Sequence, residues 1–215
     1  MTSLDGVQTP KTRQMPPNKT ALVAALDIGT SKIACLIARL KPCAPSDALR
    51  GRTHSVELIG LSHIQSRGVK AGAVVDLNEC EQAVRQAVAL AGRMAKVRVE
   101  SVLLSVSAGR LQGSMVEASS ELRGGGVTPA DMSRVISAGM HHATPPGRTV
   151  LHVLPATYSL DGVKGVRDPS GMVARHFGID MNVMTADATA AKNLMLVVER
   201  CHLNVEAMAA GPYVS

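Results

Sequence analysis

The stretch Leu22-Val23-Ala24-Ala25-Leu26-Asp27-Ile28-Gly29-Thr30-Ser31-Lys32-Ile33-Ala34-Cys35-Leu36-Ile37-Ala38 decides the fold class. Leu22 to Leu26 is a short, fully apolar run, and Ile33 to Ala38 is a second one. Two apolar runs joined by a turn containing glycine read as a β-hairpin of buried strands. The turn itself carries the chemistry. Gly29 allows close backbone approach to an anion. Thr30 and Ser31 offer amides and hydroxyls, and Lys32 adds a positive charge. Asp27 is acceptor-only and suits a hydrated Mg²⁺, which keeps waters and takes one or two carboxylates beside phosphates. Successive amides in such a turn form an anion nest. An ordinary hairpin turn also uses Asp, Gly and Thr, so both readings of Asp27, Gly29, Thr30, Ser31 and Lys32 stand at this point.

Working outward, residues 1–19 are polar and contain Pro10, Pro16 and Pro17. They lack the apolar stretch of a signal peptide and read as a flexible tail or short docking segment. Lys41 to His54 reads as a loop, and Val56 to Leu61 as a third strand of the same sheet. Asp76 and Glu79 form a capping-box-like pair ahead of an amphipathic helix. Val84, Ala87, Val88, Ala91, Met94 and Ala95 form its apolar stripe. Ser101 to Ser107 reads as a strand, and Gly124-Gly125-Gly126 as a link rather than a phosphate site. Thr128-Pro129 with Asp131 opens a second helix, since Thr is a good N-cap and Pro suits the first turn. Its buried face is Met132, Val135, Ile136 and Met140. Two extended runs follow, Thr149 to Leu154 and Ala156 to Leu160. The strand from Ser101, the helix and these two runs make a strand–helix–strand–strand unit. Met181 to Thr185 reads as a strand returning to the first sheet. Asp187 or Thr189 opens a third helix, with Ala191, Leu194, Met195, Val198 and Cys201 on one face. Leu203, Val205 and Ala207 then alternate as a half-buried strand.

Composition bounds the function. The chain has 215 residues, 46% hydrophobic and 19% charged, which excludes a disordered chain. Aromatics are 1%, namely Phe177, Tyr158 and Tyr213, so the core is aliphatic. Stacking side chains for single-stranded nucleic acid are lacking, and no nucleic-acid partner is expected. The net charge is +6 and the basic residues are scattered. That pattern fits a solvated surface or an anionic partner. Cys35, Cys43, Cys80 and Cys201 form no CxxC pair and are expected as free thiols in a reducing cytoplasm. His141 and His142 are adjacent and so do not share a helix face for chelation. Asp161, Asp168 and Asp187 read as turn residues and caps. No P-loop, GxGxxG, GxSxG, HExxH or EF-hand pattern occurs, and no apolar span of 18 residues.

In this order the motifs resemble the bacterial cell-division FtsA family. Asp27 to Lys32 is similar to that family's first phosphate loop. Ser66-Arg67-Gly68-Val69 with Gly72 and Val75-Asp76-Leu77 is similar to its next loop and helix start. Leu103 to Ser107, Val150 to Pro155 and Tyr158 resemble its inserted subdomain. Ala191-Lys192-Asn193, Val198 to Cys201 and the strand 203–208 resemble the return to the first lobe. The likeness runs from about residue 21 to the end of the sequence.

The resemblance implies an α/β fold: a partial actin-like (ribonuclease H-like) lobe with an inserted strand–helix–strand–strand (SHS2-type) subdomain. Residues 1–20 would be a tail, 21–100 plus 181–215 the lobe core called 1A, and 101–180 the insertion called 1C. The implied cofactors are ATP and Mg²⁺, held at Asp27, Gly29, Thr30, Ser31 and Lys32, with Asp27 acting on the metal through water. Any ATPase would be slow, and no catalytic residue is assigned. The implied role is an adaptor that self-associates and links the FtsZ ring to the cytoplasmic face of the membrane. It would also recruit later division proteins, partly through 1C. The second phosphate loop, the adenosine segment, the main FtsZ contact and the membrane helix of the family would lie beyond Ser215, so a fragment with weakened ATP binding is the expectation. A pilus-assembly relative similar to PilM, and a sugar kinase, are the alternatives.

Overall fold

A computed structural model of the chain describes residues 16, 18–43, 53–107, 111–122 and 124–211. Most of the expected tail, the loop residues 44–52 and the terminal stretch from Pro212 lie outside the described residues. The chain divides into two compact units, residues 1–109 with 188–215, and residues 110–187.

In the first unit, β1 (Ala21–Ile28) and β2 (Lys32–Pro42) form the expected hairpin, with Ile28 opposite Ile33. β3 (His54–Gln65) extends the same sheet antiparallel to β2. A two-stranded ribbon, β4 (Val69–Lys70) and β5 (Ala73–Val74), lies within the segment before the first helix. Its turn residues Ala71 and Gly72 both have positive φ, 48° and 76°, the signature of a type I′ turn.

Helix α1 (Leu77–Ala95) starts where Asp76 caps the amides of Asn78 and Glu79 at 2.9 and 3.0 Å. Its buried stripe is Cys80, Ala83, Val84, Ala87 and Ala91. Small residues dominate because α1 lies very close to β3. A Cβ at Gly60 would stand 2.6 Å from the Ala91 carbonyl oxygen. The buried Ser62 hydroxyl donates to the Ala87 carbonyl at 2.6 Å. Met94, expected on the apolar stripe, is 65% exposed. In the last turn Ala95, not Met94, lies against Gly60 of β3.

Strand β6 (Ser101–Val106) corrects the sequence reading. It runs parallel to β1, with Leu104 opposite Leu26, and belongs to the first sheet rather than to the inserted unit. The strand that opens the second unit is β7 (Gln112–Glu121). Helix α2 (Pro129–Ala143) follows, with Thr128 and Asp131 in a reciprocal capping box. Next come β8 (Arg148–Leu160), one continuous strand where two runs were expected, β9 (Val163–Val166) and β10 (His176–Asp187). Their sheet has the order β7-β10-β8-β9. Met181 to Thr185, expected to return to the first sheet, lies inside β10 and pairs with both β7 and β8. A central strand needs apolar residues toward the core, and β10 brings Phe177, Ile179, Met181 and Val183 there. Val135 of α2 is buried in that core, and Met132, Ile136 and Met140 pack at its margin. Tyr158 stacks on Phe177 with ring centroids 6.0 Å apart. Gly126 is more than a link: it bridges to Val173, and a Cβ there would collide with the backbone of Gly171.

Helix α3 (Ala188–Arg200) and β11 (Asn204–Ala210) return to the first unit. Ala191, Leu194, Val197 and Val198 are buried on α3. β11 lies parallel to β6, giving the order β11-β6-β1-β2-β3.

Candidate functional site

The three parallel strands β1, β6 and β11 point their carboxyl ends to one edge of the first sheet. Ligands of open α/β sheets bind outside such ends. The hairpin turn after β1 lies at that edge, and so does the end of β3, since Lys32 is opposite Gln65. Contiguity alone keeps Asp27, Gly29, Thr30, Ser31 and Lys32 together. The tertiary structure adds what surrounds them.

Asp27 is half-buried, between Ala34 of β2 and Ser105 of β6. Strand alternation puts it on the sheet face opposite the buried Leu26 and Ile28. The Ser107 hydroxyl donates to its Oδ1 at 3.4 Å. On the other side of Ser107 stands Gly211, where any Cβ would collide with that hydroxyl. A side chain just after β11 would turn that hydroxyl away from its present position.

The turn is held from two sides. The Gly29 amide donates to the Lys32 carbonyl at 3.0 Å, so this amide closes the hairpin rather than facing outward. The Ser66 amide donates to the Ser31 carbonyl at 3.1 Å. The Gly72 amide, at the tip of the β4–β5 ribbon, donates to Thr30 Oγ1 at 2.9 Å. A hydroxyl that accepts one hydrogen bond keeps its own proton to donate. The exposed donors of this turn are thus the amides and hydroxyls of Thr30 and Ser31 and the ammonium of Lys32. That set matches a phosphate oxygen's needs. Ser107, Gly72 and Gly211 were not among the predicted site residues. Gly72 carried a signal in its Ala-Gly turn, whereas Ser107 and Gly211 are significant only through strand pairing.

The donor set also bears on a metal. Among the described residues no three His, Cys, Asp or Glu side chains cluster as a ligand cage. A single half-buried carboxylate at a turn rich in outward donors fits a hydrated Mg²⁺ beside a phosphate. Asp161 and Asp168, expected as turn residues, accept backbone amides. Asp161 accepts from the amides of His176 and Arg175, at 2.8 and 2.9 Å, and these bonds hold its carboxyl below the usual range. Asp168 accepts from the Ser170 amide at 3.0 Å and is likewise lowered by its bonds to Ser170. His141 and His142 meet edge-on with ring centroids 6.1 Å apart. Burial pushes the thiols of Cys35 and Cys80 up to about 11, which makes them poor nucleophiles.

Residues 108–185 match a family model described as the SHS2 domain inserted in FTSA. The chain is 46% identical over 206 residues to the cell division protein FtsA of Rhizobium meliloti (strain 1021), covering 96% of this chain and 47% of that protein. It is 44% identical over 206 residues to the FtsA of Agrobacterium fabrum, covering 96% and 46%. The chain thus spans about half the length of the relatives it matches. A solved structure of the PilM–PilN type IV pilus biogenesis complex overlaps with a TM-score of 0.59 at 13% identity, covering 89% of this chain and 48% of that one. That likeness bears on the fold alone. The architecture is a partial actin-like lobe carrying an SHS2-type insertion.

Proposed function

We propose that this chain, 46% identical to an FtsA protein over 96% of its own length, acts in cell division as part of an ATP-responsive adaptor. In this reading it links the FtsZ ring to the cytoplasmic face of the membrane, self-associates, and recruits later division proteins through the inserted SHS2 unit. The observation that carries the nucleotide part is the turn from Asp27 to Lys32, held by Gly72, Ser66 and Ser107 with its remaining donors outward. Thr30, Ser31 and Lys32 would hold the phosphates of ATP, and Asp27 would hold Mg²⁺ through water. The metal would supply charge neutralisation between phosphate oxygens. The protein's part is to position the phosphates and to sense them through the turn and the ribbon that touches it. Any hydrolysis is slow and serves a change of state. A pilus-assembly role rests on a likeness of fold at 13% identity, whereas the division reading rests on 46% identity.

The test is Mg-ATP binding by calorimetry, with Asp27→Asn and Thr30→Val beside the unaltered protein. Loss of a charge-assisted contact weakens binding about tenfold or more. Unchanged affinity in both variants would make the turn an ordinary hairpin. The division role is tested by co-sedimentation with FtsZ polymers, which should carry this protein down.

A further inference from the structure

At the opposite edge of the first sheet, where β6 and β11 begin, α1 and α3 end side by side. Each ends in a left-handed residue that is not glycine: Lys96 at φ 55° and His202 at φ 59°. The Lys96 and Val97 amides return to the carbonyls of Arg93 and Gly92, at 3.3 and 3.0 Å. The His202 and Leu203 amides return to Glu199 and Val198, at 2.9 and 3.3 Å. Both are Schellman-type closures, which usually place glycine at the left-handed position. Between them lies a groove of about 580 Å³. Val88, Val97, Val99 and Leu203 contribute its apolar lining, and Arg85, Arg93, Lys96 and Arg98 its basic rim.

The rim carries more charge than the helix ends explain. Arg85 and Arg200 share Glu81, at 2.8 and 2.7 Å. Arg93, Lys96 and Arg98 have no carboxylate partner among the described residues. Glu100, two residues after Arg98, and Glu199, beside Arg200, do not line the groove. Cations complement a helix C-terminus, but two such ends amount to roughly one negative charge, which against Arg93, Lys96 and Arg98 leaves an excess of about two positive charges.

We infer that this groove docks an acidic, amphipathic segment of a partner protein, with apolar side chains in the trough and carboxylates against Arg93, Lys96 and Arg98. The charge excess selects an acidic occupant, and the apolar lining requires more than a free phosphate. The concave shape fits a peptide segment rather than a flat lipid surface. The groove lies at the far edge from the Asp27 turn, so this inference stands apart from the nucleotide reading.

The test uses the whole chain and fluorescence anisotropy with a labelled synthetic helix bearing Leu on one face and Glu on the other. Binding should be salt-sensitive, and amide chemical shifts should move between residues 85–99 and 201–203. The triple variant Arg93→Ala, Lys96→Gly, Arg98→Ala removes exposed charges, and glycine suits the left-handed position. It should weaken binding at least about tenfold. Four outcomes overturn the inference: no binding of the Leu-Glu helix, equal binding by the triple variant, equal binding of a Glu peptide lacking Leu, or stronger binding of phosphatidylglycerol vesicles through the same side chains.

Discussion

Glycines with a tight neighbour mark where residue identity is dictated by a distant backbone. At Gly60 an added methyl would meet the Ala91 carbonyl oxygen at 2.6 Å and the Ala95 Cβ at 2.9 Å. One obstacle is backbone, so α1 itself must move. Gly60→Ala is expected to cost about 1–3 kcal/mol, in the range of overpacked cores, and urea unfolding of the variant checks it. Nothing in the sequence around Gly60 announces this, since the approach of α1 to β3 is a tertiary contact. Asp27 is different. Its place at the end of an apolar strand, before Gly29 and Thr30, was legible from the letters. The Ser107 hydroxyl on its Oδ1 was not, because a hydrogen bond across 80 residues leaves no local pattern.

Elements with strong end signals were readable, and α2 is the clearest. Thr128 accepts from the Asp131 amide at 3.2 Å, and the Thr128 amide donates back to the Asp131 carboxylate at 3.1 Å. The Thr128 hydroxyl, then the Thr128 amide, then Arg134 hold the Asp131 carboxyl below its usual range. A folded-state value below the unfolded one contributes stability that is full above the ordinary range, near about 3.9. It is lost as pH falls through the lowered folded value. Acid titration followed by far-UV circular dichroism should therefore show an acid-labile component that Asp131→Asn abolishes. A profile identical in the variant would remove the box from the account of α2. Strand β7 went unread because Gln112 to Glu121 mixes Gly, Ser and Glu with few apolar residues. Such a composition belongs to an edge strand with one weakly apolar face, and β7 is at the edge of its sheet. Strand β6 was read as a strand yet assigned to the wrong sheet. Its apolar alternation fits any half-buried sheet equally well.

For the whole molecule the division into two units makes a direct prediction. The second unit owns a core built on Phe177, Ile179, Met181 and Val183 with Val135 and Leu160, and its strands pair only with one another. A polypeptide of residues 110–187 should therefore fold alone and melt cooperatively in circular dichroism. A spectrum without structure would show that the core needs the rest of the chain. The first unit is discontinuous in sequence, and the return through α3 and β11 completes its sheet beside β6. The amino-acid sequence by itself determined the β1–β2 hairpin and its donor-rich turn, the cap of α2, the apolar face of α3 and the aliphatic character of the core. Each follows from neighbours within a few positions, where periodicity, caps and turn residues act. Only the tertiary structure decided which sheet receives residues 101–106 and 181–185. The same holds for Gly72 and Ser107 at the turn, and for the basic groove where two helices end. These depend on pairings between segments far apart in the chain. Their free energy comes from shared burial and from backbone hydrogen bonds that many alternative partners satisfy equally well until the whole sheet is assembled.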